Sequence, residues 1–266
     1  MESPVAAIII CNKHYSSKIG YMKLIVDIGN TLSKLAVFDG EKMVSFKTFR
    51  KISPDNILSI NNEFTEITSA ILSSVAMYDP KINEVLNNYD LFIKLDHSTP
   101  VPYTNKYSTP HTLGKDRIAI ASAAAQMYKG ENTLIIDTGT SITYDIVTAN
   151  NEYLGGGISP GLKMRFEALH NFTHSLPLID LPSHEVKIDI IGDSTETSIL
   201  SGVINGLTAE IESIINQYSN MFSPLKILIS GGDYKYFEKL AKSNIFAAPN
   251  IVVTGLKCIL DFNEKN

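Results

Sequence analysis

Tryptophan is absent from the 266 residues, cysteine occurs only twice, and no apolar run is long. Cys11 and Cys258 stand near opposite ends of the chain, without a CxxC pair or a metal-site spacing. That excludes a disulfide framework and points to a reducing compartment. The longest apolar run near the start, Val5 to Cys11, is too short to span a bilayer. Acidic Glu2 is the only charge before it and no clear small-residue cleavage site follows, unlike a secretory signal. The reading is a cytoplasmic protein without a membrane partner. Positive charge is also scarce: 23 basic against 28 acidic residues give a formal net charge of −5. With neither a basic stripe nor an aromatic-basic cluster, nucleic acid is not an expected partner. Nucleotide phosphates remain possible ligands, because backbone amides and a metal ion neutralise them locally.

What is present is an apolar content of 44%, sufficient for one large or two smaller domains. Residues 1–21 precede the first strong strand and read as an extension, with Met22 an alternative natural start. Lys23–Ile28, Leu32–Phe38 and Met43–Phe49 read as three antiparallel strands, the last two joined by the hairpin turn Asp39-Gly40. Ser53 to Glu66 reads as a helix capped by Ser53, with Pro54 at its first position. A strand over Glu66–Val75, a helix from Asp79-Pro80 to about Asn88 and a strand over Leu91–Leu95 follow. The order then restarts with an alanine-rich helix, Asp116–Tyr128. Strands are expected at Thr133–Ile136, Ile142–Val147 and Tyr153–Ile158. Helices are expected from Pro160 to about His170 and over Thr195–Tyr218, the latter with one apolar stripe from Ile199 to Ile215. A strand at Lys226–Ile229 and helices at Tyr234–Lys242 and Leu256–Phe262 complete the chain. Strand, Asp-x-Gly-x-Thr turn and strand therefore occur twice, at Asp27 and at Asp137. Two similar α/β domains, 22–113 and 114–266, would face each other across a cleft, with the C-terminal helix free to pack back on the first.

The chemistry lies in the turns. In Asp27-Ile28-Gly29-Asn30-Thr31-Leu32-Ser33-Lys34, the glycine permits a tight turn and close ligand approach. Asn30 and Thr31 offer polar side chains, Lys34 adds a positive charge, and Asp27 suits a hydrated Mg²⁺. Alone, this is as well explained by an ordinary hairpin. The second copy, Asp137-Thr138-Gly139-Thr140, shifts the balance, since an acid ending an apolar strand is costly without a partner or cation. Ile229-Ser230-Gly231-Gly232-Asp233 suits a flat ring such as adenine, and equally a plain strand-to-helix turn. Gly156 and Gly161 have P-loop spacing, but Leu162 stands where that motif needs lysine. This stretch is a strand-to-helix turn or the lining of a substrate pocket. His111 reads as a surface-loop residue. Asp116-Arg117 by themselves suit a charged helix start, and Thr195 suits a helix cap.

The stretch Tyr107-Ser-Thr-Pro110-His-Thr-Leu-Gly114-Lys115-Asp116-Arg117 resembles the type III pantothenate kinases. The resemblance runs from Lys23 to about Leu260 and takes in both aspartate turns, Gly156–Gly161, Leu176-Pro177 and Gly192-x-x-Thr195. Ser141 departs from it, where the family usually carries alanine. The resemblance implies a two-domain α/β, actin-like ATPase fold of the acetate and sugar kinase/Hsp70/actin, ribonuclease H-like class. It implies ATP and pantothenate as substrates, Mg²⁺, and a monovalent cation, K⁺ or NH₄⁺. It assigns Asp27 to Lys34 and Thr140 to the ATP phosphates, and Asp137 to the monovalent cation. Tyr107, Gly114, Lys115, Asp116, Arg117 and Thr195 are assigned to pantothenate, and Asp116 is also the proton acceptor. It further implies a homodimer with the pantothenate pocket near the subunit interface, leaving open which subunit supplies Thr195. The alternatives are a kinase of the same fold acting on acetate, a sugar or another alcohol, and a regulator that binds ligand without turnover.

Overall fold

The computed structural model describes residues 22–237, 240 and 245–265. The extension 1–21, Cys11 within it, and part of the helix expected after Tyr234 lie outside these residues. The described residues form two compact units: Gly114–Asp116 and residues from Leu256 onward join residues 22–100 in one, and Val101–Leu113 with Arg117–Gly255 form the other.

The first unit is built on β1 (Met22–Ile28), β2 (Ser33–Asp39), β3 (Lys42–Phe49), β4 (Ile67–Ser74) and β5 (Leu91–Lys94). Their order in the sheet is β3-β2-β1-β4-β5. The first three strands are antiparallel, and β4 and β5 add in parallel. Parallel addition requires crossovers, supplied by α1 (Pro54–Glu63) and α2 (Lys81–Leu86). As expected, α1 opens on Ser53 with Pro54 inside its first turn, and the Asn56 carbonyl oxygen closes a capping box by accepting the Ser53 N–H at 2.9 Å. Leu24, Val26, Leu35, Val37, Ile57, Ile60, Leu72 and Ile82 join in one apolar core.

Residues from Leu256 of α8 (Ile251–Asn263) belong to this unit. The Lys257 ammonium, only 5% exposed, lies 2.7 Å from Asp261 and 2.9 Å from Glu41. Lys23 of β1 pairs with Asp261 and Glu264, and Ser69 of β4 donates to Glu264 at 2.6 Å.

The second unit repeats the topology. Its sheet comprises β6 (Thr104–Asn105), β7 (Asn132–Thr138), β8 (Ser141–Val147), β9 (Glu152–Pro160), β10 (Leu225–Ser230) and β11 (Ile245–Ala247), in the order β11-β10-β7-β8-β9-β6. Read outward from β7, the antiparallel hairpins β7-β8-β9 and parallel neighbours β10 and β11 match β1-β2-β3, β4 and β5. The repeat seen in the two aspartate turns is thus a repeat of topology. The short β6, beside β9, has no counterpart in the first sheet.

Between these units in sequence, α3 (Lys115–Met127) is buried continuously from Arg117 to Ala125, which small side chains allow. After β9, α4 (Leu162–Asn171) starts two residues later than expected. Pro160 is still a strand residue opposite Ser141, and Gly161 is the cap. The long helix expected from Thr195 is divided into α5 (Thr195–Leu200), a π-helical stretch Ser201–Asn205, and α6 (Gly206–Met221). The whole run Thr195–Met221 has the length and apolarity to cross a membrane. Its Ile199, Val203, Ile204, Leu207 and Ile211 instead enter the core of this unit beside Leu134, Tyr144 and Phe166. α7 is described over Tyr234–Phe237.

Candidate active site

In the first unit the turn between β1 and β2 spans Gly29–Leu32, closed by the Gly29 N–H donating to the Leu32 carbonyl at 3.2 Å. Asn30, Thr31 and Leu32 are exposed, whereas Ile28 and Ser33 are buried at the strand ends. The antiparallel register sets Lys34 opposite Asp27. Their side chains meet at 3.4 Å, a long contact for an ion pair. Burial raises the Asp27 carboxyl above its usual range, Lys34 works against that rise, and the negative charge of Asp116 adds to it. Two acids from separate motifs, one on β1 and one in the first turn of α3, are therefore electrostatic neighbours. Lys115, beside Asp116, donates to the Ser74 carbonyl at 3.0 Å at the end of β4, anchoring that helical turn. Gly114 is half-buried just before it.

In the second unit Asp137 stands near the end of β7, half-buried, in register with Thr143 of β8 and Ser230 of β10. The following turn is tighter than the first: Gly139 N–H donates to the Ser141 carbonyl at 3.1 Å, and Thr140 is exposed. The glycine pair after β10 belongs to this same place. Thr138 Oγ1 donates to the Ser230 carbonyl at 2.6 Å, and the Asp233 N–H donates to the Thr138 carbonyl at 3.0 Å. Two motifs that read as independent in sequence are thus one connected turn. Burial raises the Asp233 carboxyl above its usual range.

Tyr107 and Arg117, also of the second unit, lie together, with the guanidinium carbon 5.5 Å from the ring centroid. Arg117 is 4% exposed. It meets Asp145 through Nε at 2.8 Å and Nη2 at 2.7 Å. Asp145, fully buried, also accepts from the Tyr153 hydroxyl at 2.7 Å. Burial pushes the Asp145 carboxyl up, and Arg117 and Tyr153 oppose that push. Thr195 is apart from this cluster in character: exposed, in the first turn of α5, after a helix cap that is Ser194 rather than Thr195 itself. His111 is exposed, as a loop histidine should be.

Comparison with known proteins identifies what these turns belong to. A sequence model of the family described as type III pantothenate kinase matches residues 23–217. The chain belongs to this family. A type III pantothenate kinase of Christiangramia forsetii is 45% identical over 244 residues, covering 91% of this chain and 99% of the relative. Those of Phocaeicola vulgatus and Flavobacterium johnsoniae are each 39% identical, covering 92% of this chain and all of the relative. Among solved structures, a protein described as a Baf family transcriptional activator from Campylobacter jejuni superposes with a TM-score of 0.58 at 23% identity, covering 91% of this chain and 100% of that one. A ROK family glucokinase from Streptomyces griseus superposes at 0.52 and 12% identity, covering 92% and 100%. At such identities these neighbours speak to the fold alone, and the fold is the two-domain actin-like ATPase class.

A type III pantothenate kinase uses ATP, and a kinase in general uses it with a divalent metal. Among the described residues no group of three or more His, Cys, Asp and Glu is gathered as a metal cage. Mg²⁺ in general keeps its waters and takes one or two carboxylates together with substrate phosphate oxygens. Asp27, a buried carboxylate met by Lys34 at 3.4 Å, is a donor of the kind that role needs. Asp145 and Tyr153 were not singled out from sequence. The available signal was a carboxylate in the middle of the apolar strand Ile142–Val147, a position that requires a buried partner.

Proposed function

We propose that the chain transfers the γ-phosphoryl group of ATP to the primary hydroxyl of pantothenate, giving 4′-phosphopantothenate, the first step of coenzyme A biosynthesis. Membership of the family supports this reading, and so does the bond from Lys115 to the Ser74 carbonyl, which holds the start of α3 at the end of β4, the strand beside β1. Phosphoryl transfer needs mainly positioning and charge stabilisation, since its transition state is loose. In this reading Asp27 to Lys34 and Thr140 hold the ATP phosphates, with Mg²⁺ on Asp27 and the phosphate oxygens. Asp116 orients the hydroxyl and accepts its proton late in the transfer. Tyr107, Gly114, Lys115, Arg117 and Thr195 shape the pantothenate site. Asp137 and its turn take K⁺ or NH₄⁺, the role that the family resemblance gives them.

The working form in this proposal is a cytoplasmic homodimer. Support comes from the resemblance to the type III pantothenate kinases, which implies a dimer. Light scattering at micromolar protein tests this, and a fully active monomer would refute it. The function is tested by ADP formation from purified protein. Turnover with pantothenate but not with acetate or glucose is expected. Equal turnover of a sugar would overturn the assignment, and ligand binding without any turnover would favour a regulator.

A further inference from the structure

The Arg117 side chain is more deeply enclosed than a simple substrate-facing cation requires. Its charge is matched inside the protein by Asp145, and Asp145 in turn is held by Tyr153. The Tyr153 ring packs between two others, with centroids 5.7 Å from Tyr103 and 6.2 Å from Tyr107. The Tyr107 ring covers the guanidinium, and its side chain is also a hydrogen-bond partner of Arg117. Tyr107 also rests against Gly155, where a β-carbon would come within 2.8 Å of the ring. The Tyr107 ring therefore touches both a bare backbone and an arginine that Asp145 holds.

Stability does not explain this arrangement. A buried ion pair is often no better for folding than apolar groups of the same volume, because desolvation cancels the attraction. What such a pair does supply is direction. A carboxylate oxygen that accepts from Nε and lies 2.7 Å from Nη2 restrains how the guanidinium can turn, and the ring above follows it. We infer that Asp145, oriented by Tyr153, is a positioning residue for pantothenate recognition: it fixes Arg117, and through Arg117 the seat of Tyr107. The inference rests on the proposed function, in which Tyr107 and Arg117 contact pantothenate. Asp145 is fully buried and acts through Arg117.

The test is steady-state kinetics on the purified full chain with ATP and pantothenate each varied, alongside thermal melting. Hydrogen bonds to a charged group contribute about 1.5–3 kcal/mol, or roughly ten- to hundredfold in an equilibrium. Asp145→Asn is expected to raise the pantothenate KM by about that factor and to leave the ATP KM within about twofold. Tyr153→Phe keeps the packing and removes one hydrogen bond, so a smaller rise of roughly threefold is expected in the same KM. In an Arg117→Lys background, adding Asp145→Asn should change the pantothenate KM no further, because the route through the guanidinium is already lost. A role limited to stability would lower the melting temperature and leave the pantothenate KM alone. That result, or an equal effect of Asp145→Asn in both backgrounds, overturns the inference. If Asp145→Asn does not fold, an unchanged pantothenate KM in Tyr153→Phe overturns it. A wild-type protein that turns over no pantothenate overturns the functional reading itself, and the inference with it.

Discussion

Gly231 and Gly232 follow β10 as an identical pair in sequence, yet their surroundings differ completely. Gly231 has φ +95°, and a β-carbon there would lie 2.2 Å from the Thr138 carbonyl oxygen, 2.3 Å from its carbon and 2.5 Å from its nitrogen. Gly232 has nothing within 4 Å of such an atom. Gly231→Ala must therefore place an L-residue in the left-handed region, at about 1–2 kcal/mol. It must also push the β7 backbone away by more than an ångström, at about 1–3 kcal/mol for overpacking. The sum is about 2–5 kcal/mol. At roughly 2–4 °C per kcal/mol for a chain of this size, the melting temperature should fall by roughly 5–20 °C. The displaced segment is Thr138, between Asp137 and the Gly139-Thr140 turn, so the damage should reach chemistry as well. Misplacement by about 1 Å can cost on the order of 100-fold in rate, and a drop of that order in kcat/KM for ATP is expected below the melting transition. Gly232→Ala is the internal control and should stay within about twofold of wild type on both measures. If the two alanine variants behave alike, the coupling between the glycine pair and the Asp137 turn is refuted.

Asp116→Asn keeps shape but cannot accept a proton, so turnover should fall by about 10²–10⁴-fold with little change in ATP affinity. Near-normal turnover would make Asp116 a helix-start residue and no more. Asp27→Asn should abolish most activity yet raise the melting temperature at neutral pH. Wild-type Asp27 has a raised carboxyl pKa in the folded state, so it costs stability once ionised. The gain should shrink as the pH falls through that raised value and disappear below the usual 3.8; a gain that grows on acidification would contradict the burial argument. Asp137→Asn should remove the activation by K⁺ over Na⁺ together with most activity, and a wild type indifferent to K⁺ would refute the cation role.

Most of the strands were legible because apolar runs ended in turn residues, as with Asp39-Gly40, where Gly40 has φ +56°. The repeat was legible because both aspartate turns sit at equivalent positions in sheets of the same order. Less was readable where a neighbour far along the chain decides the outcome. The two-residue β6 and three-residue β11 are too short for any periodicity, and each exists only because β9 or β10 offers a free edge. Pro160 looked like a helix start because its fixed φ suits one, but strand pairing with Ser141 continued to it and moved the cap to Gly161. At the candidate site, the family resemblance named Arg117 and could not show that Asp145, 28 positions away, meets it.

The association of the last helix with the first sheet bears on how the chain comes to be folded. Lys23 finds Asp261 across a separation of 238 positions, and Ser69 finds Glu264 across 195. During synthesis the residues of the second unit emerge as a nearly continuous stretch ending at Gly255, before the partners of Lys23 exist. At about 5–20 residues per second, the N-terminal sheet waits for seconds before its last partners are made. The turn from Asp27 to Lys34 belongs to the part finished last. A lesion in the last turns of α8 therefore weakens the beginning of the protein before its middle.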